Sequence, residues 1–299
     1  MRKAALLYNP ESGSSRKRQR ELESALAVLR GAGVEADLIP TESREHAEAA
    51  TRQAMAAGCD TIFACGGDGT IHSIAQVLAN TSIALAILPM GTANALAHDL
   101  GLPLDVVSAA KAALEGKTRR VALGRVAYLD LRGHPSTRYF VVAAGAGVDG
   151  HLFYKLQSKT KRHIGMAAYY ARAFQLCFTY AITPFSAECV ETGSDRVGSA
   201  TVTQVLAVRI RNFGGIVQEL APGASLERDD LRLILCRTAR RLRYLAYVAR
   251  SLPRQRWTIP GIDLSYSMRV SCRYREAPSE AREQRKIYVE ADGELLGTL

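Results

Sequence analysis

The chain has 299 residues and a net charge of +10, from 39 Lys and Arg against 29 Asp and Glu. Its 24 glycines and 10 prolines are close to average abundance, which excludes collagen-like and low-complexity proteins. At about 150 residues per domain, this length predicts two domains. The basic excess favours an anionic partner, which leaves open a nucleotide, a nucleic acid or an acidic membrane surface.

Several features of the sequence predict the cellular location of the protein. None of the six cysteines lies in a Cys-x-x-Cys pair, which predicts reduced thiols in a cytosolic protein. The apolar start Ala4–Tyr8 is shorter than a signal-peptide core of roughly 7–15 residues. The longest apolar stretch, residues 164–182, is interrupted by Arg172 and Gln175. We therefore expect a soluble, cytoplasmic protein that touches the inner face of the membrane only peripherally.

Short apolar runs alternate with helical periodicity through the first third of the chain. Strands are predicted at Ala4–Tyr8, Val34–Ile39, Thr61–Cys65 and Ile83–Leu88, and helices at Arg16–Arg30, Ser43–Ala57, Ile71–Ala79 and Ala93–Leu100. Ser43 is the expected cap of the second helix. This alternation predicts a mostly parallel sheet covered by helices.

From about Gly124 the pattern changes to runs rich in Val, Ile and Tyr. Strands are predicted at Val126–Leu131, Tyr139–Ala144, Thr201–Arg209, Leu231–Leu235, Leu264–Arg273 and Lys286–Ala291. These runs predict a mainly antiparallel β domain. The predicted organisation is therefore an α/β domain over residues 1–124 and a β-rich domain over residues 125–299.

Three glycine-containing loops, residues 9–15, 66–70 and 89–94, follow predicted parallel strands, and ligands of such sheets bind beyond these strand ends. In the loop 66–70, two adjacent glycines allow a tight turn and close approach to a ligand. The helix that follows offers free N–H groups to phosphate. Asp68 can orient a metal ion or water there. The alternative for each loop is a turn or helix cap that binds nothing.

The three loops resemble those of a known family in order and spacing. They read Asn9-Pro-Glu-Ser-Gly13, Gly66-Gly-Asp-Gly-Thr70 and Pro89-Met-Gly-Thr-Ala-Asn94. Together with Asn212–Asp230 and Glu290-Ala-Asp-Gly-Glu294, they resemble the diacylglycerol kinase catalytic-domain family, which includes bacterial lipid kinases, sphingosine kinases and ceramide kinases. NAD kinases share the loop Gly66–Thr70, so the specificity lies in the set of five segments, which spans essentially the whole chain.

The resemblance implies a fold and a reaction. The fold is α/β, with a Rossmann-like three-layer domain of the NAD kinase and phosphofructokinase type. A C-terminal, mainly antiparallel β-sandwich follows, and its last strand returns the Asp-Gly-Glu motif to the nucleotide crevice. The reaction is ATP- and Mg²⁺-dependent transfer of the γ-phosphate to a hydroxyl of a membrane lipid such as diacylglycerol. The implied ATP-binding residues are Asn9, Pro10, Glu11, Ser12, Gly13, Thr41, Gly66, Gly67, Asp68, Gly69, Thr70, Ile71, His72, Ser73, Gly91, Thr92 and Asn94.

The resemblance also implies catalytic and metal-binding residues. Glu294 would accept the proton of the lipid hydroxyl, and Asp292 and Asp68 would support catalysis. Some bacterial members hold a structural Mg²⁺ near an Asp-Asp-Gly turn, partly through backbone carbonyls. That role carries over to Leu226, Asp229 and Leu231.

The chain departs from the family pattern at several acidic positions. Many members carry an acidic residue where this chain has Ser73, and an Asp where it has Ala95 or Ala122. The glycine of the Asp-Asp-Gly turn is replaced by Asp230. The chain also stops five residues after Glu294, where family members continue with another strand, so a shortened C-terminus is expected.

These departures keep two alternatives open. One is an NAD-kinase-like kinase of a soluble substrate, and the other is a catalytically weakened regulatory protein that binds nucleotide or lipid. The expected partners are a nucleotide and a membrane lipid at the bilayer surface, and a homodimer stays open. No nucleic-acid partner is expected, because no recognised binding motif is present.

Two basic segments are candidates for membrane contact. Residues 237–256 contain seven arginines and no acid, with Leu242, Leu245, Ala249 and Leu252 at helical spacing. Residues 155–163 are also basic and lead into the apolar stretch 164–182. Each segment could lie on an anionic membrane. Alternatively, each apolar stripe packs onto the protein and leaves a solvated basic face.

Overall fold

The computed structural model describes residues 1–10, 15–151, 182–193, 196–214, 219–251, 258–274 and 286–299. These residues form two compact units. The first unit comprises Met1–Leu123 and Asn212–Gly215, and the second comprises Gly124–Arg211 and Ile216–Leu299. The predicted site residues Glu11, Ser12 and Gly13 lie outside the described residues, and so do residues 155–163 and nearly all of 164–182.

A four-stranded parallel sheet forms the centre of the first unit. Its strands are β1 (Lys3–Tyr8), β2 (Glu35–Pro40), β3 (Thr61–Gly66) and β4 (Ala84–Pro89), in the order β2-β1-β3-β4. Leu6 pairs with Leu38 on one side and with Phe63 on the other. The two central strands, β1 and β3, are buried on both faces, as is typical of parallel sheets. The predicted parallel sheet is confirmed.

Helices cover both faces of this sheet. They are α1 (Ser15–Gly31), α2 (Arg44–Ala56), α3 (Asp68–Leu78), α4 (Ala95–Asp99) and α5 (Val106–Glu115). Helix α1 packs against α5, and α2 packs against α3. Leu6 and Phe63 share a core with residues of α1 and α5, while the alternate side chains of each strand point to the opposite face. The first unit is therefore a three-layer α/β domain, as predicted.

The helix boundaries follow from local hydrogen bonding. The Ser43 hydroxyl accepts the N–H of His46 at 3.1 Å and caps α2, as predicted. Helix α3 begins at Asp68, three residues before the predicted start, because the Gly67 carbonyl already accepts the N–H groups of Thr70 and Ile71. Helix α5 is absent from the sequence prediction, because its buried face consists mainly of small residues.

The second unit contains ten strands in one continuous antiparallel sheet. They are β5 (Gly124–Asp130), β6 (Pro135–Phe140), β7 (Ala143–Gly147), β8 (Phe185–Glu191), β9 (Val197–Val202), β10 (Gln204–Val208), β11 (Leu231–Cys236), β12 (Ile262–Arg273), β13 (Tyr288–Ala291) and β14 (Glu294–Thr298). Their order is β6-β5-β14-β13-β7-β10-β11-β12-β8-β9. Phe185 and Ala187 of β8 share one core with Val289 and Ala291 of β13, although β7, β10, β11 and β12 lie between these strands in the sheet. The sheet therefore folds over, so that its two halves pack face to face like the two layers of a β-sandwich.

Two predicted strands are interrupted for identifiable reasons. The predicted strand Thr201–Arg209 is interrupted at Thr203, which lies between β9 and β10. The Thr203 hydroxyl donates to the carbonyls of Cys236 and Thr238. The run Tyr139–Ala144 divides at Val141 and Val142, whose N–H groups donate to a side chain described below. Strands β8 and β14 are missing from the sequence prediction. Strand β14 begins at Glu294 and pairs with β13 and β5.

Helix α6 (Arg241–Ser251) lies within the basic segment 237–256. Tyr247 and Arg250 form its buried face, and the Tyr247 hydroxyl donates to the Leu220 carbonyl at 2.7 Å. By contrast, Leu242 is 74% exposed. Within the described ranges, no helix combines the length and the apolar character needed to cross a membrane.

Candidate functional site

The loops predicted to bind a ligand meet at one edge of the parallel sheet. Strands β1 to β4 end at Tyr8, Pro40, Gly66 and Pro89, and they all run in the same direction. Asn9, Thr41, Gly67 and Gly91 follow these strand ends. Both the N–H and the hydroxyl of Thr41 donate to the Tyr8 carbonyl, at 2.7 and 3.1 Å. Thr41 is buried, so its side chain joins two strand ends there.

The loops after β3 and β4 are in backbone contact with each other. The N–H of Met90 donates to the Gly66 carbonyl at 3.0 Å. A Cβ atom added to Gly67 would lie 3.1 Å from the Cα of Gly91, and one added to Gly91 would clash with Gly67. Glycine is therefore required where the two loops cross, and the loops form a single structural element.

Asn94 holds the loop after β4 in shape. Its Oδ1 accepts the N–H of Gly91 at 2.9 Å, and its Nδ2 donates to the Gly91 carbonyl at 2.9 Å. Asn94 adopts the left-handed conformation, with a φ of 48°, and is 8% exposed. Asp68 reaches across to the same loop, where its Oδ1 accepts the N–H of Leu96 at 3.5 Å. Both side chains thus shape the loops.

Besides Thr41 and Asn94, three more of the predicted nucleotide-binding side chains are buried. Ile71, His72 and Ser73 lie in the first turns of α3 and point into the unit. The Ser73 hydroxyl donates to the Gly69 carbonyl at 3.0 Å, and Gln76 Nε2 donates to the His72 carbonyl at 3.1 Å. Their role in nucleotide binding stays a prediction, and the burial of these side chains leaves the backbone at the start of α3 as the part that can face a ligand. Pro10 and Thr92 are exposed at the strand-end edge, and Gly69 and Thr70 are half-buried there.

The segment 212–214 belongs to the first unit, although it follows β10 in the chain. It packs against α4 of the same unit. The N–H of Asn212 donates to Asp99 Oδ1 at 2.8 Å. Gly214 has a φ of 73°, and a Cβ atom there would lie 2.7 Å from His98 Nε2. A glycine is thus needed where this segment crosses the imidazole ring of His98.

In the second unit, the predicted catalytic motif forms the turn between β13 and β14. Asp292 and Gly293 have φ values of 50° and 80°, as in a two-residue hairpin turn. The Asp292 carboxylate accepts the N–H groups of Val141, Val142 and Ala143 at 2.9, 2.8 and 3.1 Å. Asp292 therefore anchors the turn to the connection between β6 and β7. Glu294 begins β14 and is half-buried.

Two buried carboxyl groups lie next to this turn. Glu290 is 3% exposed, and its Oε2 accepts the N–H of Gly293 at 3.0 Å. Its side chain also hydrogen-bonds to Asp149. Burial raises the pKa of both carboxyl groups, and the neighbouring Asp149 raises the pKa of Glu290 further. The pair therefore retains a proton at pH values where isolated carboxyl groups are ionised.

Sequence reasoning assigned no role to Asp149 or Glu290. The available signal is the setting of Asp149, an acid that follows the run Ala143–Gly147 of small residues in a buried strand. An acidic side chain in such a setting needs a partner. The partner, Glu290, lies far along the chain, so only the fold identifies it.

The predicted metal-binding turn holds a protein cation. The guanidinium of Arg209 is 1% exposed and donates to the carbonyls of Asp230, Arg228 and Leu226, the last two at 2.6 and 3.5 Å. Asp229 is exposed. Among the described residues, no group of three or more His, Cys, Asp and Glu side chains could hold a metal ion. Of the predicted ligands Leu226, Asp229 and Leu231, the Leu226 carbonyl thus already faces the Arg209 guanidinium, at 3.5 Å.

Glycine loops that lead from parallel strands into helices give the first unit the arrangement by which α/β domains of this kind bind phosphate. Comparison with known proteins agrees with the resemblance seen in the sequence. Residues 3–126 match the family model of the diacylglycerol kinase catalytic domain. Over these residues the chain is similar to the diacylglycerol kinase catalytic-domain family.

Individual relatives extend this similarity. A diacylglycerol kinase of Bacillus subtilis is 27% identical over 302 residues, covering 100% of this chain and 92% of the relative. A diacylglycerol kinase of Staphylococcus aureus strain MRSA252 is 32% identical over 177 residues, covering 58% of this chain but only 53% of the relative. A crystal structure of a diacylglycerol kinase from Bacillus anthracis superimposes with a TM-score of 0.67 at 19% identity, covering 99% of this chain and 94% of that chain. That structural likeness establishes the fold.

Proposed function

We propose that this protein is a lipid kinase that transfers the γ-phosphate of ATP to a hydroxyl of a membrane lipid such as diacylglycerol. The observation that carries the proposal is the pair of crossing glycine loops at Gly67 and Gly91, at the strand-end edge of a domain that matches the diacylglycerol kinase family. Relatives named diacylglycerol kinase support the lipid as acceptor.

The nucleotide would bind through the backbone more than through side chains. The start of α3 offers N–H groups and the positive end of a helix to phosphate oxygens. Asn9 and Thr92 lie at the same strand-end edge and can add side-chain contacts. Mg²⁺ would be held mainly by the phosphates of ATP and would supply positive charge that offsets theirs.

Glu294 would act as the general base. It accepts the proton of the lipid hydroxyl while the hydroxyl oxygen bonds to the γ-phosphorus and the bond to ADP breaks. Asp292 is unsuited to that role, because three backbone N–H groups occupy its carboxylate. Asp292 would instead hold the turn that presents Glu294.

The outer face of α6 supports contact with a membrane surface. Leu242 and Val248 are 74% and 49% exposed, and Arg237 and Arg240 are exposed on the adjoining segment. Basic side chains next to exposed apolar ones suit an anionic bilayer surface. The alternative, that the stripe of Leu242, Leu245 and Ala249 packs on the β domain, is disfavoured by the exposure of Leu242 and Ala249, although Leu245 is half-buried.

A second candidate is a regulatory protein that binds nucleotide or lipid without turnover. Ser73 and Ala95 are both buried where many family members carry an acidic residue. The retained Asp292 and Glu294 argue against a complete loss of chemistry.

The deciding experiment measures phosphate transfer from labelled ATP with Mg²⁺ into diacylglycerol and total bacterial lipid in mixed micelles. NAD serves as a parallel acceptor, and Glu294→Gln is compared with Glu115→Gln, which changes an exposed glutamate in the first unit. Labelled lipid that disappears only in Glu294→Gln supports the lipid kinase. Labelled phosphate found in NAD alone would indicate a kinase of a soluble substrate. ATP binding without label in either acceptor would favour the regulatory protein.

A further inference from the structure

Arg209 lies where some relatives are expected to bind a metal. It follows β10 directly, and its side chain enters the turn 226–231 from inside the second unit. The guanidinium donates to backbone carbonyls of Asp230, Arg228 and Leu226. A planar group with five donors can satisfy several carbonyls at once and stays protonated in proteins.

A divalent cation cannot share these carbonyl oxygens with Arg209. An ion bound to the same oxygens would lie within a few ångströms of a fixed positive charge, at a site with little water to screen the repulsion. The carbonyl of Arg228, which lies 2.6 Å from Arg209 Nη2, already accepts a short, charge-assisted hydrogen bond.

A second observation concerns Asp230, which replaces the glycine expected in this turn. Asp230 is buried, and its carboxylate accepts two hydrogen bonds from Arg228, each at 2.6 Å. Arg228 in turn stacks on Tyr266, with its guanidinium 4.0 Å from the ring centroid. The carboxylate that could have attracted a metal is thus paired within the protein.

We propose that Arg209 is a built-in structural cation that replaces a divalent metal in the turn 226–231. The turn accordingly binds no Mg²⁺, and the fold of the second unit does not depend on a metal there. This inference does not rest on the proposed kinase activity, because it concerns only the contacts of Arg209 and Asp230.

The backbone of Arg209 links this turn to the predicted catalytic motif. Its N–H donates to the Val142 carbonyl at 2.9 Å, and the N–H of Val142 donates to Asp292 Oδ1 at 2.8 Å. A disturbance of Arg209 therefore reaches Asp292 through a single intervening residue.

The first test uses the wild-type protein. Its unfolding midpoint is measured in EDTA and in millimolar MgCl₂ without nucleotide, and bound Mn²⁺ is counted by electron paramagnetic resonance. Asp229→Asn removes the exposed carboxylate of the turn. We expect the wild-type midpoint to be the same in EDTA and in MgCl₂. We also expect Asp229→Asn to abolish no Mn²⁺ binding that the wild type shows. A metal-dependent rise that disappears in Asp229→Asn would overturn the inference.

The second test changes the cation itself. Arg209→Met should lower the unfolding midpoint by roughly 5–10 °C, because it leaves buried carbonyls without donors. Arg209→Lys should lose less, since it keeps the charge and part of the donor set. An Arg209→Met protein as stable as the wild type would contradict the structural role. If Arg209→Met does not fold, the wild-type metal experiment still decides.

Discussion

Asp149 and Glu290 hydrogen-bond to each other inside the second unit, and Glu290 also accepts the N–H of Gly293. Gly293 directly precedes Glu294, the proposed general base. The buried pair therefore holds the backbone from which Glu294 extends. Because the pKa of each carboxyl is raised by burial, this support depends on a retained proton.

This arrangement makes stability depend on pH. In the unfolded chain Glu290 ionises near its ordinary pKa of about 4.3, whereas in the folded protein it keeps its proton to higher pH. The stabilisation is therefore complete below the unfolded pKa and falls as pH rises toward the raised folded pKa. Glu290→Gln can keep both hydrogen bonds without this titration. We expect its unfolding free energy to improve relative to the wild type as the pH rises above the ordinary glutamate pKa of about 4.3.

Denaturant unfolding of the two proteins at pH values on both sides of that pKa checks this prediction. Glu115→Gln, which changes an exposed glutamate in the first unit, should follow the wild type throughout. A constant difference between Glu290→Gln and the wild type at every pH would contradict the shared proton.

Substitutions of Asp292 and Glu294 should have different effects on stability and on activity. Asp292→Asn places an amide group among three backbone N–H donors, so it should cost about 1–3 kcal/mol of stability as well as activity. Glu294→Gln should leave the unfolding free energy nearly unchanged and lower kcat by about 10²–10⁴-fold. Unfolding curves and lipid phosphorylation on the same preparations test this. Equal stability losses in both variants would refute the division of roles.

Much of the first unit follows from its sequence, because buried strands end at glycine loops and polar caps such as Ser43. The prediction fails where small residues build an element, as in α5. It also fails where a side chain interrupts a strand, as Thr203 does between β9 and β10. The roles of Arg209 and Glu290 depend on partners distant in the chain, which a single sequence does not reveal.

The crossing of the two glycine loops gives a prediction for nucleotide binding. Gly91→Ala adds a methyl group that would lie 2.8 Å from Asn94 Oδ1 and clash with Gly67. The loops must separate, so we expect ATP affinity to fall at least about tenfold, equivalent to about 1.4 kcal/mol. Gly31→Ala is the matched control, because no atom lies within 4 Å of its added Cβ. Calorimetric titration with Mg-ATP measures both, and unchanged affinity in Gly91→Ala would place the nucleotide elsewhere.

The exposed face of α6 gives a prediction for membrane binding. Leu242 is 74% exposed, and inserting a leucine side chain into a bilayer contributes about 1.5–3 kcal/mol. Leu242→Glu removes that contribution and adds a charge repelled by anionic lipid, so binding to vesicles containing phosphatidylglycerol should weaken by about tenfold or more. Leu104→Glu is the matched control, since Leu104 is 50% exposed in the first unit. Vesicle sedimentation at low and high salt measures both variants. Raising the salt should weaken wild-type binding, because the arginines act through screened charge. Equal losses in the two variants would show that α6 is not the membrane contact, since only the added negative charge would then matter.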